Sequence, residues 1–187
     1  MTRTRSLGLL AASAALALAG CSSAPGASDP TTATDAGASN AFIAFASNFQ
    51  GFQAWDHYPA PAQTDAADDP VHVDPTLIEY INQRAPAGSD SFPIGTMIVK
   101  EGTQGDPLQR QFFAMVKRGG DYNSTGAVGW EWFELQNVAE PAGGVTIIWR
   151  GFGPPEGEIY GGNAKAGCNE CHVTATFDSV FAAEARE

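Results

Sequence analysis

Thr96-Met97-Ile98-Val99-Lys100 and Gln111-Phe112-Phe113-Ala114-Met115-Val116-Lys117 are the stretches on which the fold turns. Both are runs of β-branched and aromatic residues bounded by turn formers, a composition that suits a pleated, half-buried surface. Residues 130–135 and 145–150 have the same texture, and glycine- and proline-rich turn signals fall between the runs at 102–107, 119–129 and 141–144. The expectation is one α+β domain, mainly an antiparallel sheet with two or three helices packed on it. Period-two alternation places Thr96, Ile98 and Lys100 on one face of their strand, and Gln111, Phe113, Met115 and Lys117 on one face of the next. A lysine at the end of such a face usually snorkels to water, and the functional alternative is that it reaches a bound macrocycle.

Upstream of these runs the periodicity changes. Phe42, Phe45, Phe49 and Phe52 recur at spacings of three and four, which predicts a helix capped by Ser39 or Asn40 with its aromatic stripe in the core. A loop rich in proline and aspartate follows at 58–70, and Val71-His72-Val73 reads as a short strand. Asp74-Pro75 has the form of a helix start, predicting a helix that runs to about Arg84. His72, alone in this region, reads as a surface or capping residue. The last loop, 151–167, contains Pro154-Pro155 and many glycines, and is expected to be irregular.

That loop delivers the chemically informative motif, Cys168-Asn169-Glu170-Cys171-His172. Two cysteines separated by two residues and followed at once by histidine signal covalent attachment of a c-type haem. The two thiols add to the vinyl groups on one porphyrin edge, and His172 is then the candidate axial ligand of the iron. Other readings exist. A zinc site wants four ligands, and only Cys21, His57 and His72 remain to supply nitrogen or sulfur. A disulfide or a thioredoxin-type redox pair needs no histidine, and the chain lacks an obvious leading βαβ unit. If haem binds, Met97, Met115, His57 and His72 are the possible sixth ligands, which would make an electron carrier.

The N-terminus agrees with export. Arg3 and Arg5 precede an apolar run at 7–19, and Leu18-Ala19-Gly20-Cys21 resembles a bacterial lipobox in which Cys21 is lipidated. The run is too short for a comfortable spanning helix, and a plain secretory signal is the alternative. Residues 1–20 therefore read as a lipoprotein signal peptide, 21–40 as a flexible tether of small and polar residues, and 41–187 as the folded domain. Ser22 in place of an aspartate after the cysteine favours the outer membrane, on the periplasmic side. Removing residues 1–20 takes away two arginines and no acid, so the formal charge falls from −11 to −13. Such an acidic surface argues against nucleic acid and against adhesion to anionic lipid, and it suits a basic electron-transfer partner.

Several segments in order resemble the cytochrome P-460 family. They are Phe92-Pro-Ile-Gly-Thr-Met-Ile-Val-Lys100-Glu101, Phe113-Ala-Met-Val-Lys117, Gly129-Trp130-Glu131-Trp132-Phe133, the CxxCH, and Phe177-Asp178-Ser179-Val180-Phe181. The resemblance covers about residues 41–181. It implies a largely antiparallel β fold, usually dimeric, with one covalent haem c per chain. Family members oxidise hydroxylamine or, in the cytochrome c′-beta relatives, bind nitric oxide. In the enzymes a lysine after the FPxG turn is cross-linked to the haem, and Lys100 stands at the matching position. The enzymes also carry a distal carboxylate on the next strand. Here Phe113 falls at about that position and no acid lies between Arg110 and Lys117, so the resemblance implies an apolar distal wall. Glu131 or Glu134 on the following strand could supply a carboxylate instead, though both read more strongly as solvated edge residues.

Overall fold

The computed structural model describes residues 41–60, 77–102, 106, 108, 110–156 and 167–186. The expected signal peptide, Cys21, the tether, the cap at Ser39 or Asn40, the strand at 71–73 with His72, and the helix start at Asp74-Pro75 lie outside these residues. So does most of the glycine-rich loop before the CxxCH.

Six strands form one antiparallel sheet in sequence order: β1 (Asp56–Pro59), β2 (Leu77–Ile81), β3 (Met97–Gly102), β4 (Gln111–Lys117), β5 (Trp130–Asn137) and β6 (Val145–Gly151). The four strands expected from residue texture are all present, with ends shifted by up to two residues. The fold is thus a six-stranded antiparallel sheet with few helices, broadly α+β or mostly β. Each strand pairs with the next in sequence, as consecutive strands usually do. Gly129 enables one return: it sits at φ 80° immediately before β5, where an L side chain would be strained. Its carbonyl there accepts from the backbone N–H of Arg118 and Gly119 at 2.7 and 3.1 Å.

Two expectations fail. The segment predicted as a helix to Arg84 forms β2 over Leu77–Ile81. β2 pairs with β1 on one side and β3 on the other, and two ladders of backbone hydrogen bonds outweigh a local capping signal. Its Glu79 is buried, at 6% exposure. The four phenylalanines do not share a helix either. They span two short 3-10 turns, Ala46–Phe49 and Phe52–Ala54, interrupted by Gly51 at φ 70°. Phe49 and Phe52 are fully buried and Phe42 partly so, whereas Phe45 is 63% exposed.

These turns cover one face of the sheet. Phe52 meets Tyr80 and Phe112 edge to face with ring centroids 5.2 and 5.4 Å apart, and Phe49 meets Phe133 at 5.4 Å. Burying each such ring contributes about 1.5–3 kcal/mol. The other face carries Tyr58, Ile81, Ile98, Met115, Trp130 and Trp132, and is covered by the C-terminal segment 167–186. The chain order therefore puts the CxxCH against the face that holds the even-numbered residues of β3 and the odd-numbered residues of β4.

Candidate functional site

The motif forms a single helical turn, α1 (Cys168–His172), and its first variable residue anchors it. Asn169 Oδ1 accepts from Asn123 Nδ2 (2.8 Å), the Ala127 backbone N–H (3.1 Å) and Trp132 Nε1 (3.0 Å). Its Nδ2 donates to Asn123 Oδ1 and the Phe152 carbonyl, both at 3.0 Å. One asparagine thus ties the turn to the β4–β5 connection and to β5 itself. Nothing in a CxxCH pattern requires this residue to be asparagine.

A second anchor follows the motif. Asp178 Oδ1 pairs with Lys117 Nζ, its Oδ2 accepts from the Phe92 backbone N–H at 2.8 Å, and its carbonyl accepts from Trp130 Nε1 at 2.8 Å. Asp178 and Ser179 occupy positive φ, 44° and 63°, which turns the chain so that the Ser179 carbonyl faces back toward α1. Lys117, grouped by alternation with Phe113 and Met115, therefore serves this anchor and does not snorkel away.

His172 Nδ1 lies 2.8 Å from that Ser179 carbonyl. A carbonyl only accepts, so Nδ1 carries the proton and Nε2 keeps its lone pair. The ring packs on Trp132 (centroids 4.6 Å apart) and Phe181 (5.3 Å). Although His172 retains some surface contact with solvent, its ring is desolvated, and this lowers its pKa to about 4 against the pull of the Ser179 hydrogen bond. The positive charge of Lys100 lowers it further. The imidazole is accordingly neutral at pH 7, the state in which it ligates a metal. Cys168 and Cys171 are not joined in a disulfide. Burial pushes the Cys168 thiol up to about 12, while Cys171 is exposed. Among the described residues, no group of three or more His, Cys, Asp or Glu side chains is placed to hold a metal ion, so the zinc alternative finds no four-ligand set there.

The candidates on the sheet share this face. Tyr58, Glu79, Lys100, Phe113, Glu134 and Trp149 are successive cross-strand partners, one from each strand, and form a single transverse row. The next row contains Ile81, Ile98, Met115 and Trp132, the last lying under His172. Lys100 and Phe113, proposed on sequence as cross-linking residue and distal wall, are thus direct neighbours. Lys100 Nζ pairs with Glu79 Oε1 at 3.1 Å, with side chains only 12% and 8% exposed.

Glu131 and Glu134 correct the sequence reading, because neither is a solvated edge residue. β5 is paired on both sides, and the two are 2% and 3% exposed. Glu131 is on the far face, where Arg150 and Arg118 hold it at 2.7 and 3.2 Å. Glu134 belongs to the site row and accepts from Trp149 Nε1 at 2.6 Å. Of the possible sixth ligands, Met97 packs in the far core and exposed His57 lies beside Tyr80 on that side. Met115 is on the site face, buried opposite Trp132. Sequence reasoning missed Tyr58, Glu79 and Asn169. The first two fell in an expected loop and an expected helix, so the alternation that puts them on this face was hidden.

Fold and site together define an antiparallel β protein that presents a neutral histidine and two thiols on one sheet face. The chain matches no model of a known protein family, no curated protein and no solved structure.

Proposed function

We propose that the chain is an exported mono-haem c-type cytochrome that binds or oxidises a small nitrogen species, hydroxylamine or nitric oxide. The observation that carries this reading is His172: its Nδ1 is committed to Ser179, its Nε2 keeps the lone pair, and two cysteines free of any disulfide precede it in the attachment spacing. Haem c, when bound, supplies an iron that exchanges single electrons and takes a small ligand. Cys168 and Cys171 would hold its edge covalently and His172 would ligate the iron. Phe113 supplies an apolar wall beside Lys100, the candidate cross-linking residue. An acidic surface suits a basic electron-acceptor protein. Lipidation of Cys21 would tether the domain to the outer membrane on its periplasmic side, and the resemblance to the P-460 family suggests a homodimer.

A second reading, a six-coordinate electron-transfer lipoprotein, draws on Met115, whose thioether lies on the same face as His172. The deciding experiment is the optical spectrum of protein expressed with a c-type haem attachment system, compared with Lys100→Ala. A ferrous Soret band far to the red, returned to an ordinary position by the substitution, identifies the cross-link and hydroxylamine chemistry. An ordinary high-spin spectrum unaffected by the substitution identifies a nitric-oxide-binding protein. A low-spin spectrum indifferent to carbon monoxide and nitric oxide establishes the electron carrier, and absence of haem refutes all three.

A further inference from the structure

We propose that Asp178 is a positioning residue for the iron ligand: through the turn it anchors, it holds His172 in the tautomer and orientation that set the reduction potential of the site. The inference rests on the haem reading above and deepens it. Asp178 and Ser179 are the central residues of a tight turn, closed by the Val180 N–H donating to the Phe177 carbonyl at 2.8 Å. Both hold positive φ, 44° and 63°, a region that L residues enter at a cost, Asp and Asn less than others. Such a turn persists where its surroundings over-determine it. Asp178 supplies that constraint, because its side chain and carbonyl bond Phe92 ahead of β3, Lys117 at the end of β4 and Trp130 at the start of β5. The carboxylate is 11% exposed, so these bonds compete little with water.

What the turn delivers to the site is the Ser179 carbonyl, 2.8 Å from His172 Nδ1. A hydrogen bond at the second imidazole nitrogen fixes which nitrogen is free to ligate and raises the basicity of the ring. A more basic ligand favours ferric over ferrous iron, so loss of this bond raises the reduction potential. The other partners of the ring, Trp132 and Phe181, pack against it at 4.6 and 5.3 Å and offer Nδ1 no acceptor. Asp178 therefore acts at one remove, through Ser179, and ties the ligand to three separate parts of the sheet.

The test is the midpoint reduction potential of the haem-loaded protein, measured by spectroelectrochemical titration for wild type, Asp178→Ala, Asp178→Asn and Glu131→Gln. The two Asp178 variants remove the same charge beside Lys117, so the difference between them reports the turn and not the electrostatics. Asparagine keeps an acceptor for the Phe92 N–H and tolerates positive φ, whereas alanine does neither. Asp178→Ala is expected to lie above Asp178→Asn by about 60 mV, a tenfold change in the one-electron equilibrium and the low end of what outer partners of a metal ligand contribute. Glu131→Gln disrupts a buried ion network on the far face, and should leave the potential within about 20 mV of wild type, roughly a twofold change. Thermal melts establish that each variant is folded, and Asp178→Gly, which tolerates the positive φ but lacks the acceptor, replaces alanine if that variant does not mature. Equal potentials for the two Asp178 variants, or a shift in Glu131→Gln as large as that in Asp178→Ala, overturn the positioning role while the haem reading stands. A wild-type protein that carries no haem overturns the haem reading and the inference with it.

Discussion

Lys117 Nζ and Asp178 Oδ1 pair at 2.5 Å with each side chain 11% exposed, joining the last residue of β4 to the segment that follows the CxxCH. The same carboxylate holds the Phe92 N–H, so one aspartate fixes the turn that aims the Ser179 carbonyl at His172. Asp178→Ala leaves the Phe92 backbone N–H without its partner and the Lys117 ammonium with only the Val128 carbonyl and the Trp130 ring, in a partly dry site. The expected cost is about 3 kcal/mol, read by urea denaturation, with Asp178→Asn costing less because it keeps an acceptor for Phe92.

Asn169 should behave in the same way. Its side chain joins Asn123, Ala127, Trp132 and Phe152, and Asn169→Leu orphans several of these groups at once. A loss of about 2–4 kcal/mol is expected. Gly126→Ala should be destabilising by a separate route, since a Cβ there collides with the Asn169 and Asn123 side chains. Because the two substitutions strike one contact, their effects should be less than additive in a double-mutant cycle.

The thiols of Cys168 and Cys171 should differ in reactivity. Burial holds the Cys168 thiol up at about 12, whereas Cys171 is exposed. The thiolate is the nucleophile, so iodoacetamide at pH 8 should alkylate Cys171 well before Cys168 in haem-free protein. Peptide mass spectrometry over time reads the order, and equal rates would contradict the burial of Cys168.

His172 makes the haem-free protein acid-sensitive. Its folded pKa is about 4, below the ordinary histidine value of 6.5, so the unfolded chain takes up the proton first as pH falls. The stability it contributes is complete above pH 6.5, declines as pH drops from 6.5 toward 4, and levels off below that. Denaturation series at pH 7.5, 5.5 and 4.5 should show this decline flattened in His172→Gln.

Tyr58→Phe tests whether the buried Tyr58 hydroxyl, on the strand position opposite Glu79, has a partner. Removing a buried polar atom that has no partner should leave stability unchanged or raise it by about 1 kcal/mol. A clear loss in thermal midpoint would mean that the hydroxyl has a partner and is not orphaned.

Four of the six strands, β3 to β6, are legible along the chain. In β3 to β6, β-branched and aromatic residues alternate between turn signals, so local preference and tertiary pairing agree. Alternation along the chain also grouped Lys100 with Ile98 and Phe113 with Met115, and the β3–β4 register then put the two groups on one face. β1 and β2 are not legible in this way, because their backbone groups are satisfied by long-range ladders that no local pattern announces, and tertiary pairing settles them. It alone decided that β5 is covered on both sides, so that Glu131 and Glu134 are buried and not solvated. The assembly of the site was likewise tertiary: Tyr58, Glu79, Lys100, Phe113, Glu134 and Trp149 are spread over more than ninety residues of chain and meet because five registers align. Register is a property of pairs of strands, and a single strand's sequence does not contain it.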